Sequence, residues 1–93
     1  MDIAHNAAEH RFEVSSDGQL AELVYRMRGS NTIDLLHTEV PKSMSGHGVA
    51  NALAKAALDY AADNDLKVIP TCPFVRAYLE RHDTRATIVD RGR

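Results

Sequence analysis

A single cysteine, no cluster of lysine or arginine and no long apolar run mark this 93-residue chain. Each absence removes a class of function. One cysteine excludes an internal disulfide, so nothing in the chain requires an oxidising compartment. No apolar stretch approaches the ~20 residues that a membrane-crossing helix needs. A formal charge of −2 and a pI near 6.2 weigh against non-specific nucleic-acid binding, which needs several phosphate-facing cations. The opening Met1-Asp2-Ile3-Ala4-His5-Asn6 lacks the basic and apolar regions of a secretory signal, and a cytoplasmic location without membrane or nucleic-acid partners is the expectation. The five histidines contain no helical His-x-x-x-His pair, and one cysteine gives them little help, so no metal site is expected.

What is present is ordinary in amount and informative in order. An apolar fraction of 44% and a charged fraction of 26% suit a globular protein. Ninety-three residues suffice for one domain, 1–93, which buries roughly 60–65% of the unfolded chain's surface. Residues 1–10 are small and polar without a period and are expected to form a loose tail. Arg11-Phe12-Glu13-Val14 alternates as a strand does, and Ser15-Ser16-Asp17-Gly18 then signals a tight hairpin. In the next strand Ala21, Leu23, Tyr25 and Met27 share one face, and Gly29-Ser30-Asn31 turns the chain into a third strand over 32–40. The first half therefore predicts an antiparallel meander.

The second half changes period. From about 47 to 63, Asn51, Lys55, Asp59 and Asp63 form one polar stripe, opposed by Val49, Leu53, Ala56, Ala57 and Tyr60. Asp63-Asn64-Asp65 supplies the stop, with Asn64 expected to take the left-handed conformation. Leu66–Thr71 reads as a short strand. Strand, helix and strand so closely joined predict a right-handed crossover with the two strands parallel. Pro73 opens a last helix with Phe74, Val75, Tyr78 and Leu79 on its apolar face, and residues 86–89 suit an edge strand. The fold class is α/β (α+β): a β-meander, a βαβ crossover and a C-terminal helix.

Between the third strand and the long helix lies Pro41-Lys42-Ser43-Met44-Ser45-Gly46-His47-Gly48-Val49-Ala50. A glycine loop between a strand and a helix start offers free backbone N–H groups to an anion. It is not a Walker-type loop, because Gly48 is followed by Val49, nor a dinucleotide fingerprint, because Asn51 stands where a third glycine is required. The loop resembles the acetyl-CoA pyrophosphate loop of the GNAT N-acetyltransferases, Arg/Gln-x-x-Gly-x-Gly/Ala, with Gly48 and Ala50 matching and Ser45 where the motif has Arg or Gln. From about Phe12 to His82 the chain is similar to the small, minimal GNAT-like proteins. His37–Pro41, Gly46–Ala50, Ala56–Ala61 and Pro70–Val75 resemble that family's blocks in order.

The resemblance implies a minimal GNAT-like fold, acetyl-CoA as cosubstrate and an amine acceptor, either a small molecule or a protein or peptide. The two helices that usually cover the acceptor side in longer relatives are missing, which implies a more open site. Backbone groups of Thr38, Glu39 and Val40 would hold the pantetheine, and Ser45, Gly46, His47, Gly48, Val49 and Ala50 the pyrophosphate. Ser45 lacks the guanidinium, and Lys42 and His47 compensate only in part. Cys72 and Pro73 complete the expected CoA-binding set, with Cys72 close to the CoA thiol; Cys72 stands at a parallel-strand end and a helix start, where thiolate is favoured, and a small buried hydrophobe is the alternative reading. Glu39 is a candidate general base, His37 an alternative one, and Tyr78 a candidate proton donor to the leaving thiolate or a core residue. Direct attack of the amine and a route through acetyl-Cys72 both stand, as does a non-catalytic acyl-CoA-binding module.

Overall fold

The computed structural model describes residues 1–89. Six strands form one sheet: β1 (Ala4–Asn6), β2 (Arg11–Ser16), β3 (Gln19–Met27), β4 (Thr32–Glu39), β5 (Lys67–Pro70) and β6 (Thr87–Ile88). Their spatial order follows the sequence, antiparallel from β1 to β4 and parallel from β4 to β6. Two helices, α1 (Val49–Asp63) and α2 (Pro73–Arg81), pack on the sheet and on each other. No helix among the described residues is long and apolar enough to cross a membrane.

The β2–β3 hairpin forms as its residues dictate. Asp17 and Gly18 both have positive φ, 51° and 76°, the pairing that matches the right-handed twist of the flanking strands. The expected loose tail is not wholly loose. Ala4–Asn6 adds β1 to the sheet, with His5 opposite Phe12. Three residues carry too little pattern to announce a strand, and the attachment comes from side-chain contacts. The His5 ring stacks on Phe12 with centroids 4.4 Å apart, meets Tyr60 edge-on at 4.4 Å, and its Nε2 lies 2.6 Å from the Tyr25 hydroxyl.

Helix α1 ends at Asp63, where its composition places the end, but the left-handed residue falls one position later than expected. Asn64 has φ −109°, and the left-handed residue is Asp65 at φ 56°. Leu66 N–H donates to Ala61 O and Asp65 N–H to Ala62 O, the paired bonds of a Schellman end, whose left-handed position lies one past the cap. Asn64 instead uses its side chain, donating from Nδ2 to Tyr60 O at 2.8 Å.

Strand register sorts the residues between two faces. Phe12, Val14, Ala21, Leu23, Tyr25, Ile33, Leu35 and Val68 are buried in one cluster with Leu53, Ala57 and Leu58 of α1 and Val75 of α2. Alanines at 54, 57 and 61 of α1 are fully buried and let the helix lie close on the sheet. Met27, expected on this inner face, ends β3 exposed. The other face is polar. Cross-strand partners Arg11↔Val24, Glu13↔Glu22, Glu22↔Glu39, Val24↔His37 and Arg26↔Asp34 place these residues together on it. Asp34 is buried there, accepting from Thr71 Oγ1 at 2.5 Å, with Arg28 Nε at 3.8 Å and Arg26 Nη2 at 4.0 Å.

Two irregularities of β4 set up the site. Tyr25 pairs with Leu35 and Val24 with His37, so Leu36 is an extra residue in a β-bulge. On the other edge, pairing with β5 stops at Leu35↔Pro70, although β4 continues to Glu39. The two parallel strands part at that point.

Candidate functional site

Beyond the parting lies the glycine loop. It begins with one 3-10 turn, Lys42–Met44, which buries Met44 and leaves Lys42 and Ser43 exposed. Gly46 and Gly48 have φ of 80° and 74°, a region that residues with a Cβ adopt only at a cost. Gly48 is the N-cap of α1, and no side chain caps the helix. The first N–H groups of α1 are thus left for water or a ligand. Val40, Ser45, Gly46, Gly48, Val49 and Ala50 of the expected binding set line one open cleft of about 190 Å³ with Met44, Asn51 and Phe74. The spacing missed these last three. Phe74 reads as a core residue of α2, and it packs partly buried against the core while also lining the cleft.

The remaining candidates fall into separate groups. Cys72 is the N-cap of α2, 1% exposed, with its N–H bonded to Leu35 O at 2.8 Å and its Sγ 3.4 Å from Thr38 Oγ1. Thr38 is opposite Leu23 in the register, so this pair belongs to the helix-covered face of the parting. Pro73 follows as the first residue of α2.

His37 and Glu39 are exposed on the opposite face, with Glu22 beside them; donor atoms of the three lie within 4.8 Å of one another. Sequence spacing could not find this cluster, because Glu22 comes from a neighbouring strand. Glu22 and Glu39 face each other directly, an arrangement of like charges that is unfavourable unless a cation intervenes. Arg11 serves the far side of the row. It donates from Nε to Glu13 at 2.6 Å and reaches Glu22 at 3.4 Å, and its hydrogen bond holds the Glu13 carboxyl below the usual range. Among the described residues no cation pairs with Glu39.

Tyr78 and His47 stand apart from both groups. Tyr78 is buried between α1 and α2, with its ring stacked on His82 at 4.2 Å, and it lines helix grooves rather than the cleft. His47 lines a different groove, with Met1, Val14 and Ser43. Ser45 has its hydroxyl turned to the loop, donating to Lys42 O at 2.8 Å.

The family model of the GCN5-related N-acetyl-transferases matches residues 11–88, nearly all of the described chain. This chain belongs to that family. Protein NATD1 of Xenopus tropicalis is 38% identical over 82 residues, covering 86% of this chain and 75% of the relative. The human Protein NATD1 is also 38% identical, over the same share of this chain and 73% of its own. Among solved structures, the solution structure of a GCN5-like candidate N-acetyltransferase from Staphylococcus aureus superposes with a TM-score of 0.73. It is 33% identical and covers 95% of this chain and 87% of that one. The β4 edge beyond its β5 pairing and the uncapped start of α1 leave backbone hydrogen-bonding groups unpaired by strand or cap.

Proposed function

We propose that this protein binds acetyl-CoA in the cleft at 40–50 and transfers the acetyl group to an amine. The observation that carries this reading is the coincidence of two vacant hydrogen-bonding edges. Strand β4 has no β5 partner after Leu35, and α1 starts at Gly48 without a side-chain cap on the same cleft. Thr38, Glu39 and Val40 would take the pantetheine amides along the free edge. Ser45, Gly46, Gly48, Val49 and Ala50 would take the pyrophosphate, with Lys42 exposed nearby and His47 turned to the other side of the loop.

The thioester would then reach the parting of β4 and β5, approached by different groups from the two faces. On the open face, Glu39, or His37 beside it, would accept the proton of the attacking amine, directly or through water. A backbone N–H of the parted strand would polarise the thioester carbonyl. On the covered face Cys72 is the nucleophile of a two-step route, but its sulfur is buried against Thr38, so direct attack is the better supported of the two. Nothing in the placement of Tyr78 supports its role as a proton donor. One observation favours a binding module without turnover: Ser45 replaces the motif's cation and spends its hydroxyl on Lys42 O.

Titration of the ¹⁵N-labelled protein with acetyl-CoA tests the site. Amide shifts are expected to concentrate at 38–50 and around Cys72. No shifts at millimolar ligand, or shifts scattered away from the cleft, would overturn the assignment. Coupled thiol release over a panel of amines then separates the transferase from the binding module.

A further inference from the structure

The open face of the sheet carries a donor set drawn from two strands. Glu22 of β3 stands directly opposite Glu39 of β4, and His37 is two residues before Glu39, so all three side chains leave the same side of the ladder. One donor atom from each lies within 4.8 Å of the other two. An ion bound at about 2.0–2.2 Å needs its ligand atoms roughly 3–3.5 Å apart, a gap that side-chain rotation closes without moving the backbone. Other carboxylates on this face are already served. Asp34 is met by Thr71, Arg26 and Arg28, and Glu13 by Arg11 and Asn6. Arg11 has only a 3.4 Å contact left for Glu22 Oε1. His37 and Glu39 take no side-chain hydrogen bond or ion pair among the described residues. The imidazole decides the class of ligand. Two carboxylates alone suit many cations, but a nitrogen donor beside them favours zinc and its first-row neighbours over magnesium and calcium, which take oxygen. The two carboxylate charges balance a dication.

We propose that Glu22, His37 and Glu39 bind one divalent ion of the zinc type on the open face of the sheet, with water completing its coordination. The lack of a helical His-x-x-x-His pair has no bearing on such a site, because its ligands come from neighbouring strands. Binding of the ion does not depend on how the cleft at 40–50 is used. Its consequence does rest on the proposed function: an ion here occupies the lone pairs with which Glu39 or His37 would accept the amine's proton, so the metal-loaded form is the restrained one.

Calorimetric titration of the chelator-treated protein with zinc chloride tests it, on the wild type, Glu22→Gln, His37→Gln and Glu39→Gln. His37 and Glu39 are exposed and Glu22 half-buried, and matched thermal unfolding verifies that the variants fold. One zinc per chain is expected, and each substitution should weaken binding at least about tenfold, the least that loss of even an outer-shell partner costs. Magnesium chloride at the same concentration should give no binding heat. Imidazole ¹⁵N shifts of the wild type, which need no variant, should respond to zinc at His37 before His5, His10, His47 or His82. No zinc binding at millimolar concentration would overturn the inference, as would affinity unchanged in all three variants or first shifts at another histidine. Losses in both glutamate variants with His37→Gln unaffected would mean a cation held by charge alone, and would overturn it too. None of these results touches the binding of acetyl-CoA at 38–50, which the amide titration decides separately.

Discussion

His5 is the residue whose environment departs furthest from what its neighbours in sequence suggest. Enclosed by Phe12, Tyr60 and Tyr25, it has its pKa lowered from 6.5 by burial. The folded state thus holds a neutral imidazole that the unfolded chain would protonate. The contribution to stability is full above pH 6.5 and is lost as pH falls through the lower folded-state value. Melting temperatures between about pH 5 and pH 8 should fall more steeply on the acid side for the wild type than for His5→Phe, which keeps the stacking but cannot titrate. Parallel curves for the two proteins would show that His5 is not the group responsible. The residues of the loop were more legible. Gly46 and Gly48 stood out in sequence because only glycine takes a left-handed turn without a Cβ penalty, and both do so here. An added Cβ at Gly48 would meet no protein atom within 4 Å, so its side of the loop is open to a ligand.

At the scale of elements, β4 decides most of the site. Its alternation was readable, but its bulge at Leu36 and its early loss of β5 are not sequence patterns; they arise from pairing with two different neighbours. Asp34 shows the same dependence. It sits in a half-apolar strand without any spacing signal, yet it is buried where β3, the following turn and the end of β5 meet, served by Arg26, Arg28 and Thr71. Asp34→Ala removes the carboxylate that Thr71 Oγ1 and two arginines share. Since both guanidinium groups are largely exposed and can return to water, a loss of about 1–3 kcal/mol is expected, with the upper end reserved for full desolvation. Urea unfolding measures it. Asp34→Asn, which keeps an acceptor for Thr71, should lose less; equal losses would mean that the arginines, not the hydroxyl, carry the interaction.

The whole molecule is a sheet covered by helices on one face and bare on the other, and this asymmetry separates the two chemical routes. Glu39 and His37 face the bare side; Cys72 and Thr38 face the covered one. If the acceptor amine arrives from the open face, Glu39→Gln should lower the transfer rate about 10²–10⁴-fold, the usual contribution of a general base, while CoA affinity by calorimetry stays near that of the wild type. Cys72→Ala should retain measurable turnover. The opposite pattern, with Glu39→Gln active and Cys72→Ala dead but able to bind CoA, would move the reaction to the covered face and the acyl-cysteine route. Sequence by itself determined the class of fold, the hairpin, the long helix, the parallel crossover and the loop, because each is set by local periodicity and by residues that restrict or free the backbone. Tertiary structure alone decided that a three-residue strand docks through His5 and that Glu22 joins His37 and Glu39. These depend on which strand lies beside which and on the face to which a bulge turns each side chain, and no spacing along one chain records that.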